Sequence, residues 1–139
     1  MTTIEEALEG SSPLAQKVRT GGPYRSADEV IARMRAVLPS LTEEEKVATL
    51  NAHPRIGEDP RRLSARSLEE QGADQLAELS RLNAEYERRF GFRFVVFVNR
   101  RPKSEIVEIL RQRLRRSRAE ELETGLQAIV DIAADRLRP

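Results

Sequence analysis

The chain has 139 residues, with 24 Lys and Arg against 23 Asp and Glu, a single His and no Cys. That length suits one domain spanning residues 1–139, large enough to bury a core without disulfides or a structural metal. Without cysteine there is no disulfide framework, thiol nucleophile, iron–sulfur cluster or cysteine zinc site, and one histidine cannot make a multi-histidine metal site, so neither metal catalysis nor thiol chemistry is expected. A net charge of +1 argues against a generally basic nucleic-acid binder. No apolar run nears the roughly 20 residues of a membrane helix, and positions 1–6 lack the basic start and apolar stretch of a signal peptide. A cytoplasmic protein with no membrane partner is expected.

In chain order, the 7 Gly and 7 Pro punctuate what reads as helix after helix. Ser11-Ser12-Pro13 sets a capping hydroxyl before a proline suited to a first turn, which predicts a short helix to about Arg19, broken by Thr20-Gly-Gly-Pro23. Ser26-Ala-Asp-Glu29 has capping-box spacing, and Val30, Ile31, Met34, Val37 and Leu38 form one apolar stripe before Pro39 stops it. Thr42-Glu-Glu-Glu45 repeats the pattern ahead of Val47 and Leu50, and positions 53–66, with Pro54, Gly57 and Pro60, read as a loop. Ser67-Leu-Glu-Glu70 is a third box; Ala73, Leu76, Leu79, Leu82 and Tyr86 carry a long helix from it to Phe90, where Gly91 ends it. Positions 92–98, Phe-Arg-Phe-Val-Val-Phe-Val, look β-like but have no second strand to pair with, so a buried extended connection is expected. Two more helices follow, one through Ile106, Ile109, Leu110 and Leu114, the other through Leu122, Leu126, Ile129, Ala133 and Leu137. The expected fold is an all-α, single-domain bundle of six to eight helices.

Asn51-Ala-His53-Pro-Arg-Ile-Gly57 places the only histidine where a helix gives way to a loop. Imidazole titrates near pH 6.5 when unperturbed, which suits proton transfer, although a histidine at a helix C-terminus also answers the helix dipole. Ser67, Glu70 and Gln71 stand at a helix start, where free N–H groups can hold a ligand. Ser67 and Glu70 have the spacing to satisfy each other's backbone alone, whereas the Gln71 amide is outside the box and pairs a donor with an acceptor, matching a urea-like group. Residues 100–118 carry Arg100, Arg101, Lys103, Arg111, Arg113, Arg115, Arg116 and Arg118 against Glu105 and Glu108, the best case for weak nucleic-acid binding. Aromatics for base stacking are absent from that tract, and acidic runs elsewhere offset it. A non-catalytic helical interaction module is the other alternative. Arg136 and Arg138 each offer a planar fork for a carboxylate, or a cation for the last helical turn.

Taken together and in order, Ser12-Pro13, Arg25-Ser26, Asn51-Ala-His53-Pro54, Ser67-Leu-Glu-Glu70-Gln71, Leu82-Asn83-Ala-Glu-Tyr86, Arg89-Phe-Gly-Phe-Arg-Phe-Val-Val-Phe97, Glu105-Ile106, Arg113-Leu114 and Asp131-Ile-Ala-Ala-Asp-Arg136-Leu137 resemble the 2-oxo-4-hydroxy-4-carboxy-5-ureidoimidazoline (OHCU) decarboxylases of urate breakdown. Leu14 stands where many members have tryptophan, and His-Pro-Arg-Ile-Gly replaces the commoner His-Pro-acidic-Leu-Ala. The resemblance implies an all-α, cofactor-free enzyme, usually a homodimer, that takes a small-molecule substrate and yields S-allantoin. It implies His53 and Glu70 as catalytic residues, and Pro54, Ser67, Gln71 and the backbone of Val95, Val96, Phe97 and Val98 as substrate contacts. The family's C-terminal arginine falls on Arg136, with Arg138 the alternative.

Overall fold

Short capping signals open most of the helices. The computed structural model describes residues 3–8, 10–55 and 73–138. Thr3 accepts a hydrogen bond from the Glu6 N–H at 3.1 Å and starts α1 (Ile4–Ala7), a turn the sequence reading did not anticipate. Ser12 caps α2 (Pro13–Thr20) through the Ala15 N–H at 3.2 Å, as its Ser-Pro signature predicts. Ser26 caps α3 (Ala27–Val37), but the expected box is only half made there, because Glu29 reaches one residue further back, to the Arg25 N–H at 2.6 Å. A 3₁₀ turn (Leu38–Ser40) carrying Pro39 follows. The reciprocal Thr42–Glu45 box opens α4 (Glu43–Ala52). The third predicted box, Ser67 to Glu70, lies outside the described residues.

The long helix α5 (Ala73–Phe90) ends at Gly91, whose φ of +82° is the left-handed cap that a side chain would strain. Residues 92–98 run on without strand pairing among the described residues, as expected. α6 (Lys103–Arg113) then leads to α7 (Arg118–Leu137), which opens with a Ser117–Glu120 capping box that the sequence reading passed over. Seven α-helices stand among the described residues, within the six to eight expected, and none is long and apolar enough to cross a membrane.

One core takes side chains from all seven helices. Leu14, in the tryptophan position, is fully buried in it. Four of the six aromatic residues, Tyr86, Phe90, Phe92 and Phe94, meet where α5 turns into the extended stretch, with Tyr86 centred 4.6 Å from Phe90 and 5.3 Å from Phe94.

Helices α4 and α7 run parallel in a fixed register. Arg118 pairs with Glu43 at 2.6 Å, and one heptad further on Gly125 lies against Leu50. A Cβ built on Gly125 would stand 2.8 Å from Leu50 Cδ2, inside a side chain that is wholly buried one turn before His53. Gly125→Val is therefore expected to lower stability by about 2–3 kcal/mol through overpacking, more than the gain from replacing a mid-helix glycine offsets, as read by chemical denaturation.

Candidate active site

His53 leaves α4 with φ −80° and ψ 136°, its N–H still bonded to the Leu50 carbonyl at 3.2 Å. Pro54 then disfavours another helical turn for the residue before it. The extended stretch comes alongside here. The Arg93 N–H donates to Asn51 Oδ1 at 3.0 Å, and Arg93 Nη1 donates to the His53 carbonyl at 3.0 Å. Two residues beyond the histidine, Arg55 forms a forked ion pair with Glu87 of α5, Nε to Oε2 at 2.7 Å and Nη2 to Oε1 at 3.0 Å. The cation beside the histidine thus has a carboxylate of opposite sign to meet it. His53, Pro54 and Arg55 are all half-buried. Asn51, Arg55, Glu87, Gly91, Phe92 and Arg93 line a polar depression of about 250 Å³ at this junction.

From that junction the chain runs into Val95, Val96, Phe97 and Val98, the first buried and the others half-buried. Arginine side chains hold three of their four carbonyls. Arg113 Nη1 donates to Val95 O at 2.8 Å, Arg101 Nε donates to Val98 O at 3.1 Å, and Arg101 Nη2 donates to Phe97 O. The Arg101 N–H also donates to Val98 O at 2.9 Å, closing a tight turn in which Asn99 (φ 46°) and Arg100 (φ 64°) are both left-handed. Asparagine tolerates that conformation, whereas arginine adopts it against its steric preference. Among the described residues no acceptor faces the N–H groups of Val95, Val96, Phe97 or Val98. The stretch therefore offers a ligand donors more than acceptors.

The two C-terminal arginines separate clearly. Arg138 is exposed and pairs with Asp28 of α3 at 2.9 Å. Arg136 is half-buried in the last turn of α7, with Nη1 at 3.2 Å from Ala7 O and 3.5 Å from Glu6 O. In the α4–α7 register His53 is level with Ala128, so the Arg136 backbone lies eight residues, or about 12 Å, further along the helix axis. Long side chains on a helix lean toward its N-terminus, which for Arg136 is toward His53. The structure thus brings His53 and Pro54 to the head of the 93–98 stretch and sets Arg136 further along α7. Ser67, Glu70 and Gln71 lie outside the described residues.

Four of the eight basic residues of the tract pair with carboxylates of the chain. Arg111 pairs with Glu78 at 2.8 Å, Arg116 with Glu121 at 2.9 Å, Arg113 with the same carboxylate at 2.7 Å, and Arg118 with Glu43. Sequence reasoning counted Arg113 as part of that tract and missed its burial and its hold on Val95. The signal was present, since Arg113 falls seven residues after Ile106 and three after Leu110, on the stripe those residues bury.

The sequence pattern of the family described as OHCU decarboxylase matches residues 1–138. The chain belongs to that family. A 2-oxo-4-hydroxy-4-carboxy-5-ureidoimidazoline decarboxylase of Haloferax volcanii is 30% identical over 139 residues, covering 95% of this chain and 83% of the relative. The enzyme of that name from Amia calva is 29% identical over 147 residues, covering 98% and 84%. In three dimensions the chain is similar to a crystal structure of OHCU decarboxylase in the presence of (S)-allantoin, with a TM-score of 0.80 and 26% identity over 96% of this chain and 92% of that one. Membership of this family supports the decarboxylase reading over the nucleic-acid and interaction-module alternatives.

Proposed function

We propose that this protein decarboxylates 2-oxo-4-hydroxy-4-carboxy-5-ureidoimidazoline to S-allantoin in urate catabolism, as a cytoplasmic homodimer. The observation that carries the reading is the family match from residue 1 to 138, together with a lone histidine held at a helix end by Arg93, at the head of a stretch where the N–H groups of residues 95–98 meet no acceptor among the described residues. The substrate brings its own electron sink. When the C–C bond to the carboxylate breaks, carbon dioxide leaves and the bonding pair moves into the adjacent C=N bond, whose nitrogen takes up a proton. The enol so formed then loses its O–H proton while the neighbouring ring carbon gains one, on a single face, which sets the handedness of the product.

Such a reaction asks the protein for proton management and orientation. His53 is assigned to exchanging a proton with the ring hydroxyl or its neighbouring nitrogen, and Glu70 to orienting His53 or relaying that proton. Ser67 and Gln71 hold the ureido arm, Pro54 walls the pocket, and the N–H groups of Val95, Val96, Phe97 and Val98 meet ligand oxygens. Arg136 anchors the substrate, because it is half-buried in the last turn of α7 with its side chain leaning toward His53, whereas Arg138 is exposed and pairs with Asp28.

The substrate is short-lived, so the test generates it in place from urate and follows optical activity. Faster decay with an excess of S-allantoin is the expected result. Racemic product at the uncatalysed rate overturns the reading. In the same assay Arg136→Gln is expected to raise KM by about tenfold or more, the weight of one charge-assisted pair. Arg138→Ala should leave KM unchanged, and the reverse pattern would move the anchor to Arg138. Light scattering tests the homodimer, and a monomeric mass at assay concentration removes it.

A further inference from the structure

Buried charge in a small helical bundle needs a reason. Arg113 and Glu121 expose 8% and 0% of their side chains, and they pair at 2.7 Å. Replacing such a pair by apolar side chains of similar volume is often neutral or stabilising, so the pair is weak evidence of a stability device. The arginine is not placed to satisfy itself either, since its Nη2 is buried with no hydrogen-bond partner among the described residues. Its two other nitrogens are committed, Nε to Glu121 and Nη1 to the Val95 carbonyl at 2.8 Å, and its guanidinium lies over the Phe94 ring at 4.6 Å, which fixes its plane.

We propose that Arg113 is a positioning residue of the decarboxylase site, which, braced by Glu121, orients the Val95–Val96 peptide so that the Val96 N–H is presented to the substrate. The step follows from peptide geometry. The bond between Val95 and Val96 is trans, so its carbonyl and its N–H point in opposite directions. With the carbonyl pinned toward α6 by Arg113, the N–H of the same unit is aimed away from that helix, and no acceptor meets it among the described residues. A charged donor on the carbonyl also polarises the peptide and strengthens its N–H as a donor to an oxygen. The brace is deep: Glu121 Oε1 also accepts from the Tyr86 hydroxyl at 2.6 Å, and Glu121 Oε2 accepts from Arg116 at 2.9 Å. Burial, and then the hydrogen bond to Glu121, push the Tyr86 hydroxyl far above its usual pKa, so it stays a donor.

This inference rests on the proposed decarboxylase reading, and its test uses the intact chain in two measurements. Arg113→Lys retains a cation for Glu121 but loses the planar fork that serves both partners. At a temperature where thermal unfolding shows the variant folded, it is expected to raise KM about tenfold and to lower the S excess in the catalysed fraction, with a smaller change in kcat. A merely structural role moves the melting temperature and the active fraction but not KM or handedness. The second measurement needs no variant: in wild-type protein labelled with ¹⁵N-valine, saturating S-allantoin is expected to shift the Val96 amide. A folded Arg113→Lys with wild-type KM and S excess overturns the inference, as does a Val96 amide that stays in place while the wild type turns over normally. Wild-type protein that gives no S excess removes the decarboxylase reading, and this inference with it.

Discussion

His53→Asn is expected to lower turnover by about 100-fold or more, the scale of a positioned acid–base group, with little change in melting temperature. The two effects separate because two bonds that hold this residue are made by its main chain: the N–H to the Leu50 carbonyl and the carbonyl accepting from Arg93 survive any side-chain replacement. Asparagine keeps a polar side chain of similar reach but cannot exchange a proton near neutrality. Glu70→Gln sharpens the assignment. If Glu70 only completes a capping box, glutamine serves equally and the loss of a cap would cost about 1 kcal/mol at most. If it carries or relays a proton, the amide cannot replace it, and turnover falls as far as in His53→Asn while helicity is unchanged. Turnover and thermal unfolding measured on the same preparations decide between these. Near-normal turnover in His53→Asn would remove the central group of the mechanism.

Most of the fold could be read in advance because its determinants are local. Ser12-Pro13, Thr42 with Glu45, and the left-handed Gly91 act within a few residues of themselves, and each does in the structure what its spacing predicts. What escaped, apart from the legible Ser117–Glu120 box, was either too short to carry a period, as in α1, or dependent on partners distant in sequence. The 92–98 stretch shows the second case. Its composition correctly argued against a sheet, but how its carbonyls are satisfied was hidden, because Arg113 and Arg101 supply side-chain donors where a neighbouring strand would supply N–H groups. Arg93 had no sequence signal as a brace for His53, since that contact joins residues forty apart. Arg136 and Arg138 are told apart only in the structure, where Arg138 is exposed and pairs with Asp28 while Arg136 is half-buried. Glu121 was the more readable omission. It sits four residues before Gly125 and seven before Ala128 on the buried face of α7, as Arg113 sits on that of α6. A charge of each sign on two buried stripes is a pair waiting to be matched.

That pair makes the largest stability prediction. Glu121→Gln keeps the shape of the side chain and one acceptor oxygen, yet it removes the carboxylate that balances Arg113 inside the core and weakens the bonds from Tyr86 and Arg116. Breaking one side of a buried pair costs about 3–5 kcal/mol, because the other side is left charged and unpaired, whereas a whole domain is stable by only about 5–15 kcal/mol. A fall in melting temperature of roughly 10–20 °C is expected by calorimetry for a chain of this size. The double variant Glu121→Leu with Arg113→Met discriminates the cause. It leaves no unpaired charge in the core, since Arg116 is part-exposed and stands 3.8 Å from Glu120, and it keeps most of the buried volume, so it should recover most of the lost stability even though the Tyr86 hydroxyl loses its acceptor, which limits the recovery by about 1–3 kcal/mol. It should not recover tight substrate binding, because the Val95 carbonyl then has no guanidinium to orient it. If Glu121→Gln instead unfolds within a degree or two of the wild type, the carboxylate is not carrying the charge balance of this core. If the double variant recovers both stability and KM, Arg113 matters to the fold through its charge alone.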